Sequence, residues 1–202
     1  MKISSQNSSI SFEKSLVAKA GFVRAGKTRT CKIFRLFKDV DNDYFYQIRN
    51  RDKWLDSSFM EEVSDNIKNL NDHKRVYVLE DKKENCLGLV ELVDLPSHNK
   101  KEVLFLETCP KYSNSNSDRK AKYIGETLMA FVTKLAKKDK NDKVSISVYT
   151  QNAFPFYVDK CKFSQASKTS KSIELPKSKF GHLLFQNGLH TKRRIELISS
   201  SQ

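Results

Sequence analysis

The stretch from Lys101 to Lys138 constrains this chain more than any other. An apolar run, Val103-Leu104-Phe105-Leu106, passes through Glu107-Thr108-Cys109 to Pro110, and a Ser/Asn/Lys-rich loop from Lys111 to Asp118 follows. The segment opening at Arg119-Lys120-Ala121-Lys122-Tyr123-Ile124-Gly125 then carries apolar residues at Ile124, Leu128, Phe131, Val132 and Leu135. That spacing lays a single stripe along a helix. Strand, basic loop and helix N-terminus together make a generic anion site, because the first helical N–H groups have no internal partner and the dipole favours negative charge there. Arg119, Lys120 and Lys122 oppose that dipole, so helix stability does not account for them. A phosphate held at this end does.

The 202 residues predict one domain with a sizeable core. No apolar run approaches the roughly 18 residues that span a bilayer, and the start lacks the apolar centre of a signal peptide. The four cysteines (Cys31, Cys86, Cys109, Cys161) contain no C-x-x-C pair, and the four histidines share no ligand spacing. Neither a disulfide framework nor a metal site is expected; the reading is a cytoplasmic protein with reduced thiols and no membrane contact. A formal net charge of +13 suggests a phosphorylated ligand or a polyanionic partner such as nucleic acid. The plainer alternative is that scattered lysines keep a polar chain in solution.

Taken in order, residues 1 to about 14 are Ser/Asn/Gln-rich, and a short helix is expected over Phe12 to Ala20. Gly21-Phe22-Val23-Arg24-Ala25-Gly26-Lys27-Thr28 satisfies every fixed position of the phosphate-loop pattern G-x-x-x-x-G-K-S/T. Such a loop needs a buried strand before it and a helix after it. Here a charged segment precedes it, and the following Thr30 to Phe37 reads as a strand, so a nucleotide hydrolase ranks last among the readings. Helices are expected over Asp39 to Arg51 and from Ser57 to about Leu70. Strands are expected over Arg75–Leu79 and Cys86–Val93, joined as a hairpin, and over the alternating Val144, Ile146 and Val148. A short helix from Phe154 to Cys161, strand material at Phe163–Gln165 and Ser172–Leu175, and a buried strand at Gly181–Phe185 complete the reading.

This order, together with three local patterns, resembles the GNAT N-acetyltransferase superfamily over roughly Thr30 to Leu189. Leu104-Phe105-Leu106-Glu107-Thr108-Cys109-Pro110 is similar to the family's fourth strand and its exit. Lys120-Ala121-Lys122-Tyr123-Ile124-Gly125 stands where the family has Q/R-x-x-G-x-G/A. Asn152-Ala153-Phe154-Pro155-Phe156-Tyr157, followed by Cys161-Lys162-Phe163, resembles its N-x-x-A-x-x-x-Y-x-x-x-G-F ending. Lys120 replaces Gln or Arg, Tyr123 stands at a usual glycine, and Lys162 replaces the glycine before Phe163. The implied fold class is α+β, a mixed and mostly antiparallel central sheet flanked by helices. The implied division is an N-terminal extension (1–29), an acetyltransferase domain (30–189) and a basic, Ser-rich tail (190–202).

The resemblance implies transfer of acetyl from acetyl-CoA, as cosubstrate, to a primary amine. Lys120, Lys122, Tyr123, Ile124 and Gly125 would hold the pyrophosphate, with Asn152 nearby. A free strand edge at Leu106 to Thr108 would pair with the pantetheine amides, and a main-chain N–H at Thr108 or Cys109 would polarise the thioester carbonyl. Tyr157 resembles the general acid. Glu107 is the candidate base, with Glu91 second. The competing reading is a catalytically degenerate module of this fold that binds CoA or nucleic acid. Acceptor identity and oligomeric state leave no mark in the sequence.

Overall fold

The computed structural model describes residues 14–37, 73–113, 121–148, 153–165 and 172–198. Nine strands run side by side: β1 (Ser15–Arg24), β2 (Lys27–Arg35), β3 (Lys74–Glu80), β4 (Cys86–Leu95), β5 (Lys100–Thr108), β7 (Lys143–Ser147), β8 (Ser164–Gln165), β9 (Ser172–Pro176) and β10 (Glu196–Leu197). Their order is β10-β1-β2-β3-β4-β5-β7-β9-β8, with a two-residue β6 (Ala121–Lys122) on the end of β1. Neighbours are antiparallel except β5 and β7, which are parallel. The helices are the single turn α1 (Pro110–Ser113), α2 (Ile124–Lys138) and α3 (Lys177–Thr191), with a π-helical turn at Phe156–Lys160. The architecture is the expected α+β sheet, mixed and mostly antiparallel. The helices expected over Asp39–Arg51 and Ser57–Leu70 lie outside the described residues.

Val76–Glu80 and Cys86–Leu92 are buried without interruption, so β3 and β4 are covered on both faces. Helix α2 packs against β1, β4, β5, β7 and α3. Of the expected stripe, Ile124, Leu128, Phe131 and Val132 are buried and Leu135 is half-buried; Thr127, Met129, Ala130 and Thr133 are buried as well. Tyr77 meets Phe131 edge-on, with ring centroids 5.0 Å apart. Lys101 is buried in β5 between Asp94 and Asp139, the latter at 2.7 Å. Arg75 also reaches Asp94, at 3.1 Å. Among the described residues, no helix is long and apolar enough to cross a membrane.

Three expectations are corrected. The Phe12–Ala20 segment is not helical where it is described: Lys19 is exposed between buried Ala18 and Ala20, the period of a strand, and pairing with β2 overrides local helix preference. By contrast, the phosphate-loop match is followed by the expected strand: it is a β-hairpin whose turn residues Ala25 and Gly26 both have positive φ (49° and 71°) and which leads into β2. Gly181–Phe185 lies within α3, because Phe180, Leu183, Asn187 and Thr191 are its buried residues, at helical intervals. Finally, α2 begins at Ile124; Ala121 and Lys122 instead pair with Arg24 and Val23 of β1.

One buried polar chain ties α3, α2 and β1 together. Asn187 Nδ2 donates to Thr127 Oγ1 at 3.1 Å, and the Thr127 hydroxyl donates to the Gly21 carbonyl at 2.9 Å. Thr127→Val keeps the shape but strands both partners in the interior, so it should lower the unfolding free energy by about 1–3 kcal/mol. Urea denaturation measures this. An additional Asn187→Leu change should cost less in Thr127→Val than in the wild type, because the amide has already lost its acceptor.

Candidate active site

The cleft exists because β5 is longer than its parallel neighbour. Pairing of β5 with β7 runs from Lys100–Lys143 to Val103–Ile146 and stops. On its other side β5 continues against β4 to Thr108–Gly88, after a bulge that leaves Leu104 opposite no residue. The Cys109 N–H donates to the Leu87 carbonyl at 2.9 Å. In an antiparallel ladder such hydrogen-bonded pairs alternate with non-bonded ones. Leu106 and Thr108, opposite Val90 and Gly88, therefore turn their main-chain groups away from β4. Beyond Val103, no described strand takes up that edge.

Facing the free edge is the N-terminus of α2. Tyr123 caps this helix in the left-handed conformation (φ 67°, ψ 20°), and its own side chain makes no capping hydrogen bond to the first turn. The Thr127 N–H is the first to close an intrahelical bond, onto the Tyr123 carbonyl at 2.9 Å. The amides of Ile124, Gly125 and Glu126 point out of the helix end, the arrangement that attracts anions. Tyr123 occupies a position whose usual glycine adopts positive φ freely; here the strain is opposed by stacking on His190, with centroids 4.8 Å apart. Gly125 is needed for a different reason, since a Cβ there would lie 2.9 Å from Cζ of Phe156.

These pieces enclose a cleft of about 510 Å³ lined by Leu106, Glu107, Thr108, Lys122, Tyr123 and Tyr157, with Ile124, Gly125 and Glu126 at its helical end. Tyr157 is buried on the π-helical turn and contacts Phe156 and Phe163 edge-on at 4.9 and 6.0 Å. Burial, and secondarily the nearby Cys161, push its phenol well above the usual tyrosine range, so it holds its proton through neutral pH. Cys109 is fully buried and does not line the cleft. Its N–H is engaged with Leu87, which leaves Thr108 as the cleft-facing amide of the two. Glu91 is buried within β4 and is not part of the lining either. Lys120 and Asn152 lie outside the described residues.

Three features escaped sequence reasoning. Glu126 brings a carboxylate to the cleft beside the helix end, and it is the second cause, after burial, of the raised Cys161 thiol. Its adjacency to Gly125 was a usable signal. Phe156 seals Gly125. The His190–Tyr123 stack joins residues far apart in sequence, and no local pattern announces it.

No protein-family model matches the sequence, and no curated protein does. Solved structures do match by fold. A GNAT-family acetyltransferase from Staphylococcus aureus superposes with a TM-score of 0.52 at 13% identity, covering 72% of this chain and 99% of that one. A chimera of the spermidine N-acetyltransferase SpeG from Vibrio cholerae with hSSAT gives 0.53 at 17% identity, covering 75% and 98%. A dodecameric structure of the Vibrio cholerae spermidine N-acetyltransferase gives 0.52 at 16%, covering 74% and 95%.

The left-handed cap yields a test free of ligand. Tyr123→Gly and Tyr123→Ala both lose the stack on His190, but only glycine relieves the backbone. The glycine variant should be the more stable of the two by about 1 kcal/mol, read from chemical denaturation. Strand order, the single parallel pair that parts midway and the likeness to these structures give the chain the fold of the GNAT N-acetyltransferase superfamily.

Proposed function

We propose that the protein is an acetyl-CoA-dependent N-acyltransferase that delivers an acetyl group to a primary amine. One observation carries the reading: the outward-facing main chain of Leu106 and Thr108 and the open amides of Ile124 to Glu126 converge on a single cleft that also contains Tyr157. The helix end supplies N–H donors and positive potential for a diphosphate, and Lys122 adds a cation. The strand edge supplies donors and acceptors for an amide-bearing arm. The GNAT-like domain proposed is 30–189, with β1 and β10 as additions to its sheet.

The cosubstrate contributes an activated acetyl thioester; the remaining roles fall to the chain. The Thr108 N–H donates to the carbonyl oxygen as charge develops there. An ammonium has no lone pair, so Glu107 takes a proton from the acceptor amine, directly or through a water. The amine nitrogen then bonds to the acetyl carbon, the carbon–sulfur bond breaks, Tyr157 protonates the departing thiolate, and the second proton shed by the nitrogen returns to the phenol. The buried phenol with its raised pKa is fully protonated at neutral pH, so it holds the proton that this step needs.

Titration calorimetry should show saturable binding of acetyl-CoA; no saturation at millimolar ligand would sink the proposal. In an amine-panel assay that reads free thiol, Tyr157→Phe should cut turnover by about 10²–10⁴-fold while leaving acetyl-CoA affinity nearly unchanged. The raised phenol also fixes a sign: as pH rises, the loss of activity that reports Tyr157 should begin above roughly 10, the ordinary tyrosine value. A loss tracking Tyr157 at lower pH would remove it from the acid role.

A further inference from the structure

Two cavities outside the cleft share one side chain, Arg193. The first, about 600 Å³, lies by the β1–β2 hairpin and the β3–β4 turn and is lined by Arg24, Arg29, Lys82, Lys83 and Arg193. Its one carboxylate among the described residues, Asp81, is turned inward on its own loop: Oδ1 accepts the N–H groups of Lys83 and Asn85 at 2.8 and 3.0 Å and the Asn85 side-chain amide at 3.0 Å. The second, about 520 Å³, lies between α2 and α3 and is lined by Lys134, Lys137, Lys192, Arg193 and Arg194, with no carboxylate among the described residues. No carboxylate among the described residues forms an ion pair with any of these cations. Within the second cavity stand Phe185 and Leu189, 66% and 59% exposed.

We propose that these two cavities, bordered in common by Arg193, form a binding groove for single-stranded nucleic acid. Like charges held together without counter-charges repel one another, and a polyphosphate backbone relieves that repulsion along its length. Four of the lining cations are arginines (Arg24, Arg29, Arg193, Arg194), whose planar guanidinium groups match phosphate oxygens two at a time. A duplex backbone needs only the charges. The exposed Phe185 ring among them gives the additional element that unpaired bases use, a face to stack on. Nothing in this surface depends on the acetyl-transfer cleft, so the two readings stand or fall separately.

Fluorescence anisotropy with end-labelled oligo(U) and oligo(dT), titrated across salt concentrations, tests the proposal. Binding should tighten steeply at low salt, with a log–log slope of about −0.7 for each phosphate neutralised. Arg29→Ala, in one cavity, and Arg194→Ala, in the other, should each weaken binding and flatten the slope by about 0.7. Phe185→Ala should weaken binding by about 5- to 150-fold and leave the slope unchanged, the signature of a lost stacking contact. All three side chains are exposed, and thermal melting checks that the variants remain folded. Tighter binding of either oligonucleotide supports the groove and tells which sugar it prefers. It would be overturned by no binding at low salt, by unaltered affinity in Phe185→Ala, or by equal affinity for polyglutamate or a duplex of the same charge.

Discussion

The cleft depends on a strand that keeps one neighbour and loses the other. β5 is held by β4 along its full length, and that pairing fixes the direction of every main-chain group beyond Val103. β7 supports only its first half. A strand released on both sides would be mobile and could not position an amide; one paired on both sides would have no amide to offer. The half-supported strand is rigid and available together, which is what a site built from backbone requires. The bulge at Leu104 falls at the point where β7 departs, where added twist helps the two strands separate.

The opposite wall uses the same economy of means. Helix α2 is anchored from below by a buried stripe and from the side by the Asn187–Thr127–Gly21 chain, so its first turn is fixed without a capping side chain. An uncapped end would ordinarily be a weakness, since three donors are left to solvent. Here those donors border the cleft. Tyr123 gains a left-handed cap at some backbone cost, and the ring it brings leans on α3 through His190, so the C-terminal helix helps hold the entrance to the site.

Much of this was legible in the sequence where chemistry is local. The spacing of Ile124, Leu128, Phe131 and Val132 gave the helix, the alternation of Val144 and Ile146 gave β7, and the ordered motifs gave the fold class. Failures came where a distant partner decided the outcome. Ala18, Lys19 and Ala20 have helical preferences, but β2 recruits them into a ladder. Gly26-Lys27 imitates a phosphate loop because tight hairpin turns and phosphate loops both use glycine, but the strand expected after it already told the two apart. The run Gly181-His182-Leu183-Leu184-Phe185 looks like a strand when read alone; extended to Phe180, Asn187 and Thr191, its buried positions fall on one helical face. Ser145 shows the same limit in a strand: it occupies the polar phase of β7 yet is fully buried, because β7 is covered on both faces.

The outer side of β1 is closed in two short pieces. Glu196 and Leu197 pair with Lys19 and Ala18, and Ile198 donates to Val17, while Ala121 and Lys122 cover the far end at Arg24 and Val23. Between them Arg193 lies against Gly21, its Cβ 2.9 Å from where a glycine side chain would begin. These few residues deny a second copy the unbroken edge it would need for intermolecular strand addition. A proteolytic cut ahead of Ile195 would remove most of that guard, and the clipped protein would become prone to self-association through its first strand even with its cleft intact.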